Sequence, residues 1–157
     1  MKALARQEVE AIHEAGHATI SHYFGHKIAE VVRRPDESYT KLSGGQKVNG
    51  LDFMIHCCAG KAGVDKLYGY KAEKDTNWRG SKDCGDAFAA ALRLSGNDTE
   101  AADLLVWWAE RMAEVLVERQ WGQVCRLANA LLEHGSLSGE AVNQLFNGSN
   151  GAVVNTT

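Results

Sequence analysis

The chain has 157 residues, 45% of them hydrophobic, and a formal net charge of −3 with lysines and arginines scattered rather than clustered. That length supports one domain with its own core and is too short for two of ordinary size, and the charge offers no footprint for a nucleic-acid backbone or an anionic membrane. No stretch approaches the run of about eighteen apolar residues that spans a bilayer, and the N-terminus turns charged too soon for a signal peptide, so a soluble cytoplasmic protein is expected.

From about Ala3 to Phe24, apolar or small residues recur at Val9, Ile12, Gly16, Ile20 and Tyr23, the spacing of an amphipathic helix that Gly25 stops. Lys27 to Arg34 and Tyr39 to Val48 carry extended character, which predicts a small sheet of two or three strands. Leu51 to Leu67 reads as a helix rich in small residues, and Tyr70 to Lys82 as a polar loop holding Trp78. A third helix is expected from Asp86 to Leu94. A fourth is expected behind a capping box formed by Asn97 and Glu100, with Leu104, Trp108, Met112 and Val115 as its core stripe. Trp121 to Leu132 continues in helix, and Ser138 caps a last short one, with Leu137 and Val142 as a hydrophobic staple. The fold class is mainly α with a small sheet (α+β), in one domain over residues 1–146 and a disordered tail over 147–157. Cys57, Cys58, Cys84 and Cys125 form no CxxC pair and are expected as reduced thiols.

The chemistry lies in the first helix, at His13-Glu14-Ala15-Gly16-His17. Residues four apart share a helix face, so both imidazoles can address one zinc ion. Glu14, one step round, can face a metal-activated water and take its proton, the arrangement that peptide hydrolysis needs. Gly16 lowers helix propensity by about 1 kcal/mol relative to alanine, which predicts a close approach by another segment. A third ligand must come from elsewhere in the chain. His22 lies about half a turn from His13 on the helical wheel and is read as a surface or packing residue. His56 and the three tryptophans Trp107, Trp108 and Trp121 are read as packing residues.

The segment HEAGHATISHYFGHKIAEVV resembles the motif helix and first strand of the peptidase domain of the FtsH-type, ATP-dependent zinc proteases (an M41-like, zincin-type helical domain). CCAGKAGVDKLYG resembles that family's second helix, SKDCGDAFAAAL its third-ligand segment, and ANALLEHGSLSGEAVNQLF its closing helical pair. The likeness covers about residues 8 to 146 and is strongest at the first motif.

The resemblance implies a zinc metalloendopeptidase with His13 and His17 as ligands, Glu14 as catalytic base and Asp86 as third ligand. Asp86 is preferred to Asp83 because it directly precedes the apolar run AFAAAL. Cys84 is a further candidate for that ligand, and Asp65, at the place of a family glutamate, is a candidate to orient a histidine. The sequence contains no G-x-x-x-x-G-K-[ST] phosphate loop. The expected substrate is therefore unfolded or extended polypeptide, met directly or through a separate delivery partner, with a homo-oligomer also open. The alternative is a catalytically silent, zinc-stabilised peptide-binding or regulatory domain of the same fold.

Overall fold

A computed structural model describes residues 6–69 and 78–148. Helix α1 (Arg6–Tyr23) leads through Gly25, whose φ of 78° only glycine adopts freely, into an antiparallel hairpin of β1 (Ile28–Arg33) and β2 (Ser38–Leu42). Then follow α2 (Gly50–Leu67), a 3₁₀ turn at Trp78–Gly80, α3 (Lys82–Leu94), α4 (Thr99–Arg119), α5 (Trp121–His134), β3 (Ser136–Ser138) and α6 (Gly139–Asn147). The mainly helical class with a small sheet is as expected. Three strands stand in the order β2-β1-β3, Val31 facing Thr40 on one side and Leu137 on the other.

Helix α1 sits between two apolar clusters. Ala11, Ile12, Ala15 and Ala18 pack with Val31, Val124, Leu127, Leu131, Leu137, Val142 and Phe146, which join the sheet to α5 and α6. Ile20 packs into the other cluster, with Met54, Ile55, Cys58, Trp78, Val106 and Leu116 from α2, the 3₁₀ turn and α4. Being covered on both flanks, α1 buries polar residues too, among them Glu14 and His17. The close approach expected at Gly16 is with α2: a Cβ there would stand 2.5 Å from the carbonyl oxygen of Ala59. The small residues of α2 thus let two helix backbones cross at short range.

Several local expectations change. Helix α3 begins four residues earlier than expected, because Ser81 caps it by accepting from the Cys84 N–H. The cap of α4 is Asp98, which accepts from the Ala101 N–H, while Asn97 takes a positive φ of 67° in the preceding turn. Three of the four residues of the stripe expected to be core on α4 face outward, Leu104 being 67% exposed, Trp108 37% and Val115 40%, while Met112 packs against the core as expected. The buried face is instead Ala102, Val106, Ala109, Ala113, Leu116 and Val117, because α4 has apolar residues on both sides and the smaller ones fit the close packing against α2. The strand β3 was hidden in what reads as a turn before α6; Ser138 caps that helix as expected. The helix reaches Asn147, one residue into the expected tail, while residues 149–157 and most of the expected loop, 70–77, lie outside the described residues. All four cysteines are free. No helix among the described residues is long and apolar enough to cross a membrane.

Candidate metal centre

His13 and His17 lie one turn apart on α1 and point the same way, towards the first turn of α3. His17 Nε2 is 3.0 Å from His13 Nε2, and Asp83 Oδ2 is 3.1 Å from each. The three donor atoms form a nearly equilateral triangle. Three ligands about 2.0–2.2 Å from one zinc ion stand about 3.3 Å apart at tetrahedral angles, so the triangle matches a zinc face to within a few tenths of an ångström.

Three further observations fit a cation at that point. His17 Nδ1 lies 2.7 Å from the carbonyl oxygen of His56; a carbonyl only accepts, so Nδ1 carries a proton and Nε2 is the nitrogen turned to the cluster, where a metal would take the place of the proton it shares with Asp83. Burial would lower the proton affinity of His17, yet its pKa is raised, because the hydrogen bond and charge of Asp83, the charge of Glu14 and the His56 carbonyl outweigh it. Asp83 shows the reciprocal effect: burial would raise its pKa, but His13 and His17 hold it well below the usual carboxylate range. Finally, α2 approaches the cluster with Gly60, where a Cβ would stand 2.5 Å from His17 Nε2 and 2.7 Å from His13 Nε2. Only a residue without a side chain leaves that space.

Among the described residues, His13, His17 and Asp83 form the group of histidine, cysteine and acidic side chains close enough to hold a metal. Asp86, the expected third member, is not in it. With α3 starting at Lys82, Asp83 falls in the first turn and turns towards α1, whereas Asp86 lies further round the helix, pairs with Lys82 and lines the cleft. The signal that favours Asp83 is Ser81 as cap, three residues before Cys84. Cys84 is buried in the core between α2, α3 and α4 and is no part of the triangle. Asp65 pairs with Lys61 one turn back along α2 rather than orienting a histidine. His22 stacks on Phe146, ring centroids 4.5 Å apart, as a packing residue.

The triangle opens into a cleft of about 760 Å³ lined by α1 (Val9, Glu10, His13, Glu14), by every residue of β2, and by Phe53, His56 and Cys57 of α2. Glu14 is buried at its wall, and the Thr40 hydroxyl, 2.9 Å from Oε2 and 3.1 Å from the Glu14 backbone oxygen, donates to it from β2. One carboxylate oxygen is held and the other carries no hydrogen bond from the protein among those described. Thr40 was not foreseen, since nothing in a short strand marks which residue faces a helix. His56 is also more than a packing residue. Its Nδ1 lies 2.7 Å from Ser21 Oγ, its ring stacks on Phe53, and burial, helped by the neighbouring His17, pushes its pKa down to about 3. It is a neutral imidazole on the cleft wall.

No family model matches this chain, and no curated protein matches it. The geometry of the cleft therefore carries the functional argument.

Proposed function

We propose that this protein is a zinc metallopeptidase that hydrolyses peptide bonds in unfolded or extended polypeptides, a peptidase domain of the FtsH-type kind. The observation that carries the reading is the convergence of His13 Nε2, His17 Nε2 and Asp83 Oδ2 at 3.0–3.1 Å beside a buried glutamate in an open cleft. His13, His17 and Asp83 would hold the ion, and zinc, when bound, supplies the Lewis acidity that makes water a nucleophile near neutral pH.

The protein's own residues supply the rest. Glu14 takes a proton from the attacking water on its unheld oxygen, while Thr40 holds the other, so that the base does not rotate away. The same carboxylate then returns the proton to the leaving amine, which restores the starting state. The His56 carbonyl fixes the tautomer and ring plane of His17. Strand β2 is an edge of the sheet, and all five of its residues line the cleft. An extended peptide can add to such an edge by backbone hydrogen bonds, whereas a folded substrate cannot. That supports polypeptide in extended form as the substrate class.

The test is cleavage of quenched fluorescent casein by zinc-loaded protein without ATP, run beside Glu14→Gln at equal measured zinc content. Loss of about 100-fold or more in the variant is expected for removal of a general base. Equal inactivity of both proteins, each holding one zinc per chain, would overturn the peptidase reading in favour of the silent peptide-binding domain.

A further inference from the structure

The outer face of α4 carries four of the exposed large apolar side chains among the described residues, and the cleft uses none of them. Leu104, Trp107, Trp108 and Val115 are all exposed there, Trp107 at 62%. The opposite face of the same helix is fully built into the core through Ala102, Val106, Ala109, Ala113, Leu116 and Val117. A helix that is apolar on both sides is characteristically covered on both. Contiguous apolar patches of this kind, rimmed by charge, mark association surfaces.

The residues of this face indicate what covers it. Its midline runs Leu104-x-x-x-Trp108-x-x-Arg111-x-x-x-Val115, with Glu100 one turn before it and Arg119 one turn after, and every one of these six is exposed. The spacing reads the same from either end about a midpoint between Ala109 and Glu110, which is the spacing of alternate seam positions in a helix pair. Two copies of α4 laid antiparallel across a two-fold axis at that midpoint bring Leu104 against the partner's Val115. The same operation brings Trp108 against the partner's Arg111, a cation over an aromatic ring. At the ends, acidic Glu100 comes to the level of the basic Arg119 of the partner subunit. A parallel pairing would set arginine against arginine and glutamate against glutamate. A lipid surface is disfavoured by an arginine in the middle of the stripe. Arg111 is available for this contact, because its present partner, Glu114, is a surface ion pair three residues along the helix.

We propose that the outer face of α4 is a self-association surface, through which two copies of this chain pair as an antiparallel, two-fold dimer centred between Ala109 and Glu110. The inference is independent of the reading of the cleft. One helix pair is small beside the roughly 800 Å² per partner of a standard stable interface, so a weak, concentration-dependent dimer is expected.

Sedimentation of the full chain is the test, with the mean mass expected to rise from monomer at about 2 μM towards dimer at about 200 μM, the range in which a small interface saturates. Trp108→Glu and Leu104→Glu are expected to remain monomeric throughout with unchanged circular dichroism, since both side chains are exposed. Arg111→Glu should weaken pairing about tenfold or more while Arg111→Lys retains most of it. Register is read by mixing Leu104→Cys and Val115→Cys chains, each also carrying Cys125→Ser: the mixed disulfide dimer should exceed either like pair. A wild-type chain that stays monomeric at 200 μM, association undiminished by Trp108→Glu and Leu104→Glu, or like pairs dominating the cross-linking would overturn the proposal.

Discussion

Gly60 faces His17 across the crossing of α1 and α2 at a distance that leaves no room for a side chain while the imidazoles stay in place: a Cβ on residue 60 would stand 2.5 Å from His17 Nε2 and 2.6 Å from His13 Cε1. The close triangle of His13, His17 and Asp83 therefore depends on the absence of a side chain at residue 60. In Gly60→Ala the imidazoles must yield, His13 outward because it is the more exposed of the two. Zinc affinity is expected to fall by about 10-fold or more, the scale of losses when ligand orientation is disturbed. Helix propensity meanwhile favours alanine by up to about 1 kcal/mol. Chelator competition together with a melt of the metal-free protein separates the two effects; unchanged zinc affinity would count against the site.

Gly16→Ala acts on the fold instead. Its Cβ would meet the backbone oxygen of Ala59 at 2.5 Å, and backbone cannot swing aside as a side chain can. Destabilisation of about 1–3 kcal/mol is expected from overpacking of this kind. Urea unfolding of the metal-free protein measures it, and a stability equal to the parent's would show that α1 and α2 separate more easily than their packing implies.

Two neighbouring substitutions test which aspartate would serve as third ligand to a bound zinc ion. Asp83→Asn is expected to lower zinc affinity by about 100-fold or more, since it removes a charged donor from the triangle. Asp86→Asn should leave affinity within about threefold, because it breaks only an exposed ion pair with Lys82. Calorimetric zinc titration reads both, and the opposite ranking would restore Asp86 to the role the sequence suggests.

Thr40→Val keeps shape and removes the hydroxyl that holds Glu14. On the proposed peptidase reading, the expected outcome is a fall of about tenfold in kcat with zinc content unchanged, as Glu14 loses its fixed orientation. Unaltered casein cleavage would show that Glu14 needs no such support.

His56 gives a pH signature. Its pKa in the fold lies near 3, depressed by burial and by His17 and His26 while Asp83 opposes, against 6.5 for an ordinary histidine. A depressed folded pKa means that the unfolded chain binds the proton first, so stability is full above about 6.5 and declines as pH falls towards 3. The slope from this one group is about 1.4 kcal/mol per pH unit. The raised pKa of His17 contributes a slope of the opposite sign that fades as pH falls below 6.5 and the unfolded chain also takes up the proton. Denaturant unfolding of the metal-free protein between pH 6 and 4 should therefore be steeper for the parent than for His56→Gln, and equal slopes would refute the assignment.

The sequence by itself determined the elements whose signals are local. The three-to-four spacing of α1, the stop at Gly25, the β-branched run of β1 and the Ser138 cap each depend on residues within a turn of one another, and each agrees with the structure over the described residues, the expected start of α1 at Ala3 lying outside them. The placing of His13 and His17 on one face follows from the same helical period. What the tertiary structure alone decided are choices between near-equivalent residues. Asp83 and Asp86 are both acidic and both near a helix start, and only the Ser81 cap and the direction from which α3 meets α1 select the former. Helix α4 offers two apolar faces to a periodicity argument, which weights large side chains. Packing in the core takes the face of mostly small residues, Ala102, Val106, Ala109, Ala113 and Val117 with Leu116, and leaves the tryptophans outside. Burial is a property of the neighbours a face meets, and those neighbours come from distant parts of the chain.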